Sequence, residues 1–501
     1  MDRNVARGNM IRISAMSPDP VPRFFVGTED RTTQLFNLHP WPCSGPDASL
    51  SDSLFVLYIM SDTIQKLRQI LASQEKYHEP WASGVVTLSG SESTLFFKCR
   101  DNTARYIKFP SVNDADIMAL LDACDPATFG RGPENVLDET YRKAWKLDEG
   151  NFSWRFNPDS GKFVGRLAQG LCPWDPMNKG IRAEPYKLNV YGATPHLGQG
   201  GFFKNHKDTP HAENMFGSLV FVLPIEHQGG SLLLRHRDRE FKFDAPGLLK
   251  DSPPLSMAYV AFYSDVEHEV LEVTSGHRIT ITFNLYYDPS RAAPVLPGAK
   301  LKIPENTFTT VLRDYFRDAA FIRNHNHLGF GLEYAYPKRA DKYDTWDHLP
   351  YLKGPDAFLY SVLSDLGLKP SLRYLYRSMY GGCKIWVMLT KVQPGRDRGK
   401  GSYNTELDYL LDEGSDAHIV WMDIPEDREE DSHPWMRVYE SDKEYFDSKI
   451  ISVDWVTQPS GNLTGRTQWV ELGNEPAHEI YYYRVCIIVD ANQAPCPPLL
   501  S

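Results

Sequence analysis

The chain has 501 residues, 42% hydrophobic and 24% charged, ordinary for a soluble globular protein and too long for one core, so two or three domains are expected. A formal net charge of −11 excludes a broad phosphate-binding surface, which needs clustered Lys and Arg, and no nucleic-acid partner is expected. The longest strongly apolar run, Leu54 to Met60, is far too short to span a bilayer, so no membrane partner is expected either.

The seven cysteines (Cys43, Cys99, Cys124, Cys172, Cys383, Cys486 and Cys496) are scattered and odd in number, with no CxxC pair. That argues against a disulfide framework or a thiolate zinc site and suits a reducing compartment. With no apolar signal core at the N-terminus, the expected location is cytoplasmic or nuclear. The sequons at Asn151 and Asn462 are then chance matches.

In chain order, residues 1–50 are rich in Pro, Asp, Ser and Arg without a sustained period and read as a mobile arm. Residues 51–180 read as an α+β flank. Ser61 or Asp62 can cap a helix carrying Ile64, Leu67 and Leu71. Residues 84–109 suggest three strands joined by SGS and DNT turns. A helix is expected at about 113–123 with Ile117, Leu120 and Leu121 inward, and another from about Asn135 through Tyr141 and Trp145. Residues 181–290 are short alternating runs separated by Gly-Gly, Ser-Gly and Pro, the pattern of a hairpin-rich sheet. Pro289 to Pro304 reads as a linker. Residues 305–501 read as a C-terminal α+β region. There, helices are expected at Thr307–Phe316 and Asp356–Leu366, and a hairpin of Leu372–Tyr380 with Lys384–Val392 across Gly381-Gly382. A solvated insertion at 425–448 and a β-prone run at Ile480–Val489 follow.

The chemistry concentrates in 186–288. His206-Lys207-Asp208 is a His-x-Asp element; in a strand, residues two apart face the same way. His268 lies on a later strand. Two His and one carboxylate on one face of an ion, with positions left open, is the arrangement of non-haem Fe(II) oxygen chemistry; a structural zinc would want a fourth protein ligand. His-x-Asp alone is weak, with about one match expected by chance, and a second stands at His236-Arg-Asp238, beside His211-Ala-Glu213. Arg278 sharpens the case. It follows His268 by ten positions across Thr274-Ser275-Gly276, read as a hairpin turn that brings both side chains inward. Arg278, Thr280 and Thr282 would share one face, and Ile279, Ile281 and Phe283 the other. A buried guanidinium needs an anion, best a planar carboxylate. A small diacid with one end on Arg278 and the other on the metal satisfies both, with Thr280 and Tyr191 adding hydroxyls. His236 with Asp238 leaves few residues for the intervening strands, and His211 lies past Pro210. His277 should face away, and Asp265 or Glu267 could orient His268 through its other nitrogen.

The runs GGFFKNHKDT, FYSDVEHEVLEVTSGHRIT and LNVYG together resemble the iron(II)/2-oxoglutarate-dependent dioxygenases, most closely the prolyl 4-hydroxylase-like group; the flanks, such as LGFGLEYAYP at 328–337, are similar to multidomain fungal oxygenases. The resemblance covers about 100 residues. It implies an α+β protein with a double-stranded β-helix (jelly-roll) core, flanking helices and the C-terminal α+β region. It also implies catalysis at an iron on His206, Asp208 and His268, with Arg278, Thr280 and Tyr191 binding 2-oxoglutarate. The implied cofactors are Fe(II), 2-oxoglutarate and O₂, with ascorbate as an optional reductant. The resemblance favours a peptidyl proline or other protein residue as the unidentified substrate, with a small molecule as the alternative; collagen-type relatives carry Lys where Arg278 stands, which weakens the case for proline. A non-catalytic jelly-roll scaffold is the alternative of a different class. Residues 305–501 offer no His-x-Asp or His-x-Glu, so any second jelly roll there would be catalytically silent.

Overall fold

Alternation in the middle of the chain produces two sheets that share one strand. In the computed structural model the described residues are 63–71, 79–172, 180–192, 200–288, 290–291, 307–317, 327–339, 351–380, 383–390, 406–413, 416–423, 443–459, 462–463, 472–476 and 480–490. All lie in one compact unit, Leu54–Ser501. The expected arm at 1–50, the linker apart from 290–291, and most of the insertion at 425–448 lie outside them.

The shared strand is Glu267–Asp288. Its second half pairs antiparallel with Gly180–Gly192 on one side and Met215–Val222 on the other. Its first half pairs with Gly201–His206, His227–Gly229 and Leu232–His236. Here the sequence reading needs correction: Thr274-Ser275-Gly276 is not a hairpin turn. Gly276 has φ +69 inside a continuous strand and pairs with His227, so the chain bends between sheets without reversing. A Cβ at Gly276 would meet the Glu226 carbonyl oxygen at 2.4 Å, which leaves glycine as the residue that fits. His268 and Arg278 still line the same cavity, although the ladder is irregular between Val270 and Val273 and the chain bends at Gly276, so the even spacing alone does not bring them together.

Met215–Val222 and Ser256–Tyr263 are buried at every position, because both sheet faces are covered. Ile279, Ile281 and Phe283 are buried on the outer face, alternating with Arg278, Thr280 and Thr282, which line the cavity on the inner one. That outer face carries Phe221 and Phe283 against Trp154, while Phe163 of the Gly161–Leu171 helix packs on Phe221 at 5.3 Å and Tyr259 at 5.0 Å. The helix at 63–71 buries Ile64, Leu67 and Leu71. The Asp114–Ala123 helix starts at a capping box on Asn113 and buries Ile117, Leu120 and Leu121, as its spacing predicts.

The three strands expected at 84–109 form as Trp81–Thr87, Thr94–Lys98 and Ala104–Lys108. The first joins the main sheet beside Ser256–Tyr263. The helix expected from Asn135 does not form. Tyr141 N and Arg142 N both bond the Asp138 carbonyl in a single turn. The chain then continues as strands: Arg142–Lys143 pairs with Phe202 and Phe203, and Trp145–Asp148 with Gly180–Gly192. Pairing with two core strands overrides local helical spacing.

The described part of 305–501 builds one sheet in the order His418–Asp423, Cys383–Leu389, Ser371–Tyr380, Ile480–Asp490, His327–Arg339, Val453–Thr457, with Asn462–Leu463 beside Ser371–Tyr380. The helices Thr307–Arg317 and Gly354–Asp365 and the antiparallel pair Ser371–Tyr380 with Cys383–Leu389 agree with the sequence reading. This sheet meets the core through Tyr334, whose ring lies 4.7 Å from Tyr263 and 4.9 Å from His236. Among the described residues no helix is long and apolar enough to cross a membrane.

Candidate metal centre

His206 ends the Gly201–His206 strand, directly opposite His268. Lys207 then bridges to Gly473, which turns the chain so that Asp208, just past the strand, reaches the same point. His206, Asp208 and His268 offer ligand atoms that all lie within 4.8 Å of one another. His268 Nε2 is 3.6 Å from Asp208 Oδ1, and the two imidazole centroids are 4.2 Å apart. All three residues are buried.

The tautomers follow from the backbone. Nδ1 of His206 lies 2.8 Å from the Lys204 carbonyl oxygen and Nδ1 of His268 lies 3.1 Å from that of Val266. A carbonyl only accepts, so both Nδ1 atoms carry hydrogen and both Nε2 lone pairs are left for an ion. Burial, reinforced by His268, pushes the His206 pKa well below its ordinary value, which keeps that lone pair available. The expected orienting role of Asp265 or Glu267 on His268 is not what the structure has. Asp265 is turned to Lys353 and the Ala335 amide, and Glu267 to Lys207 and Asn205.

Arg278 is 1% exposed, and its Nε and Nη2 have no hydrogen-bond partner. Burial pulls its pKa down to about 10, against a smaller opposing effect of Tyr191. It stands opposite Tyr191 in register, with its Cζ 5.5 Å from that ring. One cavity is lined by the triad, Arg278, Thr280 and Tyr191 together, with Thr282 on the same side. Every residue singled out for metal or diacid therefore reaches one cavity. The rival His236 does not: it lies 3.5 Å from Glu333, stacked on Tyr334, with its pKa lowered to about 4 mainly by burial. His211 Nε2 is 3.4 Å from Glu475. Half-buried His277 does not line the cavity.

Gly230 supports the stem of Arg278. At φ +68, a Cβ there would meet Arg278 Cδ at 2.7 Å and Val273 Cγ2 at 2.8 Å. Gly230→Ala is expected to destabilise the fold by more than about 1 kcal/mol, read from the urea midpoint, and to weaken diacid binding by displacing Arg278.

Residues 186–286 match the family model of the 2OG-Fe(II) oxygenase superfamily. That segment is recognised as a domain of this superfamily, an oxidoreductase class. Similar solved structures include a Pseudomonas putida prolyl-4-hydroxylase (19% identity, covering 30% of this chain and 75% of that one, TM-score 0.20). A 2OG-Fe(II) oxygenase family oxidoreductase from Burkholderia pseudomallei (14%, 46% and 94%, TM-score 0.23) is another. A third is a Trichoplax adhaerens prolyl hydroxylase in complex with a hypoxia inducible factor oxygen degradation domain peptide fragment (18%, 34% and 74%, TM-score 0.22). At such scores these likenesses carry nothing about substrate. No curated protein matches the chain.

The oxygenase cavity also has walls that the sequence reading missed. Lys187 and Asn189 precede Tyr191 at a spacing of two on one strand and face the same cavity; strict alternation could have found them. Arg142, buried, donates to the Thr128 carbonyl and to Asn189 Oδ1, with its guanidinium 4.3 Å from the Phe203 centroid. Ser218 donates to Asp208 Oδ2. Asn474 arrives from the C-terminal region, with Glu475 beside it paired to Lys187, and no local motif marks either.

Proposed function

We propose that the chain is an Fe(II)- and 2-oxoglutarate-dependent dioxygenase that hydroxylates an as yet unidentified substrate, with release of succinate and CO₂. One observation carries this: an N, N, O donor set and a buried guanidinium with unpartnered nitrogens line the same cavity. The donor set fits a borderline divalent ion such as Fe(II) that keeps open positions. The orphaned guanidinium nitrogens fit a carboxylate.

His206 and His268 would hold iron through Nε2 and Asp208 through Oδ1. Arg278 would grip the distal carboxylate of 2-oxoglutarate, with Thr280 and Tyr191 offering hydroxyl donors. Bound there, the metal and co-substrate supply the O₂ chemistry that the side chains lack, oxidising 2-oxoglutarate to succinate and CO₂ and leaving one oxygen atom on the substrate. The chain's own work is positioning and exclusion of water: Val220, Leu232, Phe262 and Val270 wall the cavity with apolar surface. We place the two sheets sharing Glu267–Asp288 in a double-stranded β-helix, with 181–290 as the catalytic domain and 51–180 and 305–501 as its flanks. A peptidyl proline or other protein residue is the favoured substrate, from the prolyl 4-hydroxylase-like motif pattern.

The test is succinate release from 2-oxoglutarate with Fe(II), for wild type and His206→Ala. Uncoupled turnover is expected in wild type and only background in the variant; equal rates, or no iron binding by wild type, would refute the proposal. Mass spectrometry of a lysate for products with one added oxygen atom, compared between the two proteins, then identifies the substrate.

A further inference from the structure

We infer that Asn474, from the C-terminal region, is a positioning residue for the metal ligand Asp208, which makes the 472–475 segment part of the active site. The inference rests on the reading of His206, Asp208 and His268 as iron ligands. Leu472–Gly473 pairs with Phe129–Arg131, and the Leu472 carbonyl accepts the Lys207 amide at 3.3 Å. These contacts lay the segment against residues 206–209. Buried Asn474 then donates from Nδ2 to Asp208 Oδ1 at 2.7 Å and accepts the Thr209 amide on Oδ1 at 2.9 Å. The amide orientation is fixed by chemistry: a carboxylate needs a donor and an N–H needs an acceptor.

Asp208 is held at three places. Asn474 bonds Oδ1, Ser218 bonds Oδ2, and the Tyr482 hydroxyl shares its proton between the Asp208 and Ser264 carbonyl oxygens, each at 3.0 Å. Asn474 and Tyr482 both come from beyond residue 470. The carboxylate lies past the end of its strand, so no ladder fixes its direction; the two side-chain bonds do so. Oδ1 has two lone pairs, and with one taken by Asn474 the other is left for an ion beside His268 Nε2. Partners of this kind change metal affinity or activity by roughly 10–100-fold when removed.

Full-length metal-free protein titrated with Co(II), a divalent probe stable in air, provides the test. Asn474→Leu keeps the branched shape, in a somewhat larger side chain, and removes both bonds. It is expected to weaken Co(II) binding roughly 10–100-fold and to change the d–d absorption of the bound ion. Thr209→Val removes the hydroxyl bond to the Glu475 carbonyl (2.7 Å), anchoring the same segment without touching the carboxylate, and is expected to bind Co(II) as wild type does. Should Asn474→Leu not fold, Asn474→Ser, whose hydroxyl is too short to reach Asp208, takes its place with the same expected loss. Wild-type affinity and spectrum in the Asn474 variant, or equal losses in Asn474 and Thr209 variants that follow their melting temperatures, would overturn the inference. Asp208→Ala separates the two levels: if it binds Co(II) as wild type does, the metal reading itself fails, whereas loss there with an indifferent Asn474 sinks only the clamp.

Discussion

Replacing Arg278 by Leu is expected to weaken 2-oxoglutarate binding severely while leaving the ligand-free protein as stable as wild type or more so. The two halves have one cause. In the free protein the guanidinium is buried with Nε and Nη2 unpartnered, so the fold carries a desolvated charge that nothing among the described residues neutralises. An apolar side chain, although shorter, removes that cost. With the diacid bound, the same group makes a charge-assisted pair shielded from water. Truncating one partner of such a pair costs roughly 2–5 kcal/mol, or a factor of about 30 to several thousand at 1.4 kcal/mol per tenfold. Calorimetric titration of 2-oxoglutarate into the metal-loaded protein measures the first half, and urea unfolding without ligand measures the second. Loss of stability without loss of affinity would mean that Arg278 is a packing residue and that the diacid lies elsewhere. Arg278→Lys keeps the charge but not the planar fork and should fall between the two.

How far the sequence reaches can be seen at this same residue. His206, Asp208, His268 and Arg278 stood out by residue type and spacing in β-prone segments, although Asp208 lies past the end of its strand and the long strand is irregular between His268 and Arg278. Thr274-Ser275-Gly276 has turn composition, yet Gly276 uses its positive φ to bend one strand from sheet to sheet. Composition cannot distinguish a bend from a reversal, because both need the same left-handed conformation. The segment after Asn135 was misread for a different reason. Its helical spacing is real, but Arg142 and Trp145 find strand partners some 45–60 residues away, beyond any local window. Asn474 lies 266 positions from the carboxylate it bonds. Nothing in Gly-Asn-Glu-Pro announces such a contact. Strand existence and the clustering of His206, Asp208 and His268 are therefore carried by local pattern, whereas the groups that hold Asp208 depend on long-range docking.

That docking has its own buried charge, and Lys353→Met is expected to destabilise the fold by roughly 3–5 kcal/mol. Lys353 Nζ, fully buried, lies 2.8 Å from Asp265 Oδ1, 3.0 Å from the Ala335 carbonyl oxygen and 3.5 Å from Ser264 Oγ. Three acceptors around one nitrogen suit an ammonium. Asp265 also accepts the Ala335 amide at 2.8 Å, so the pair joins the strand leading to His268 with the C-terminal sheet. Burial alone would raise the Asp265 pKa, but Lys353, His236 and the bonds to Lys353 and Ala335 outweigh it and hold the carboxyl far below the ordinary range. The sign of the pH dependence follows. In wild type this carboxylate stabilises the fold above its unfolded pKa of about 3.9, and the contribution is lost as pH falls below that value. In Lys353→Met the carboxylate is left buried without its cation, its folded pKa rises above the unfolded one, and the slope reverses. Between neutral pH and about pH 4 the variant should regain stability as Asp265 takes up a proton. Urea midpoints across that range distinguish the outcomes: a deficit independent of pH would mean that lost packing, and not the uncompensated carboxylate, accounts for the effect. Lys353→Met combined with Asp265→Leu should recover part of the deficit, because an apolar pair leaves no charge to desolvate, although the Ala335 amide then lacks its acceptor.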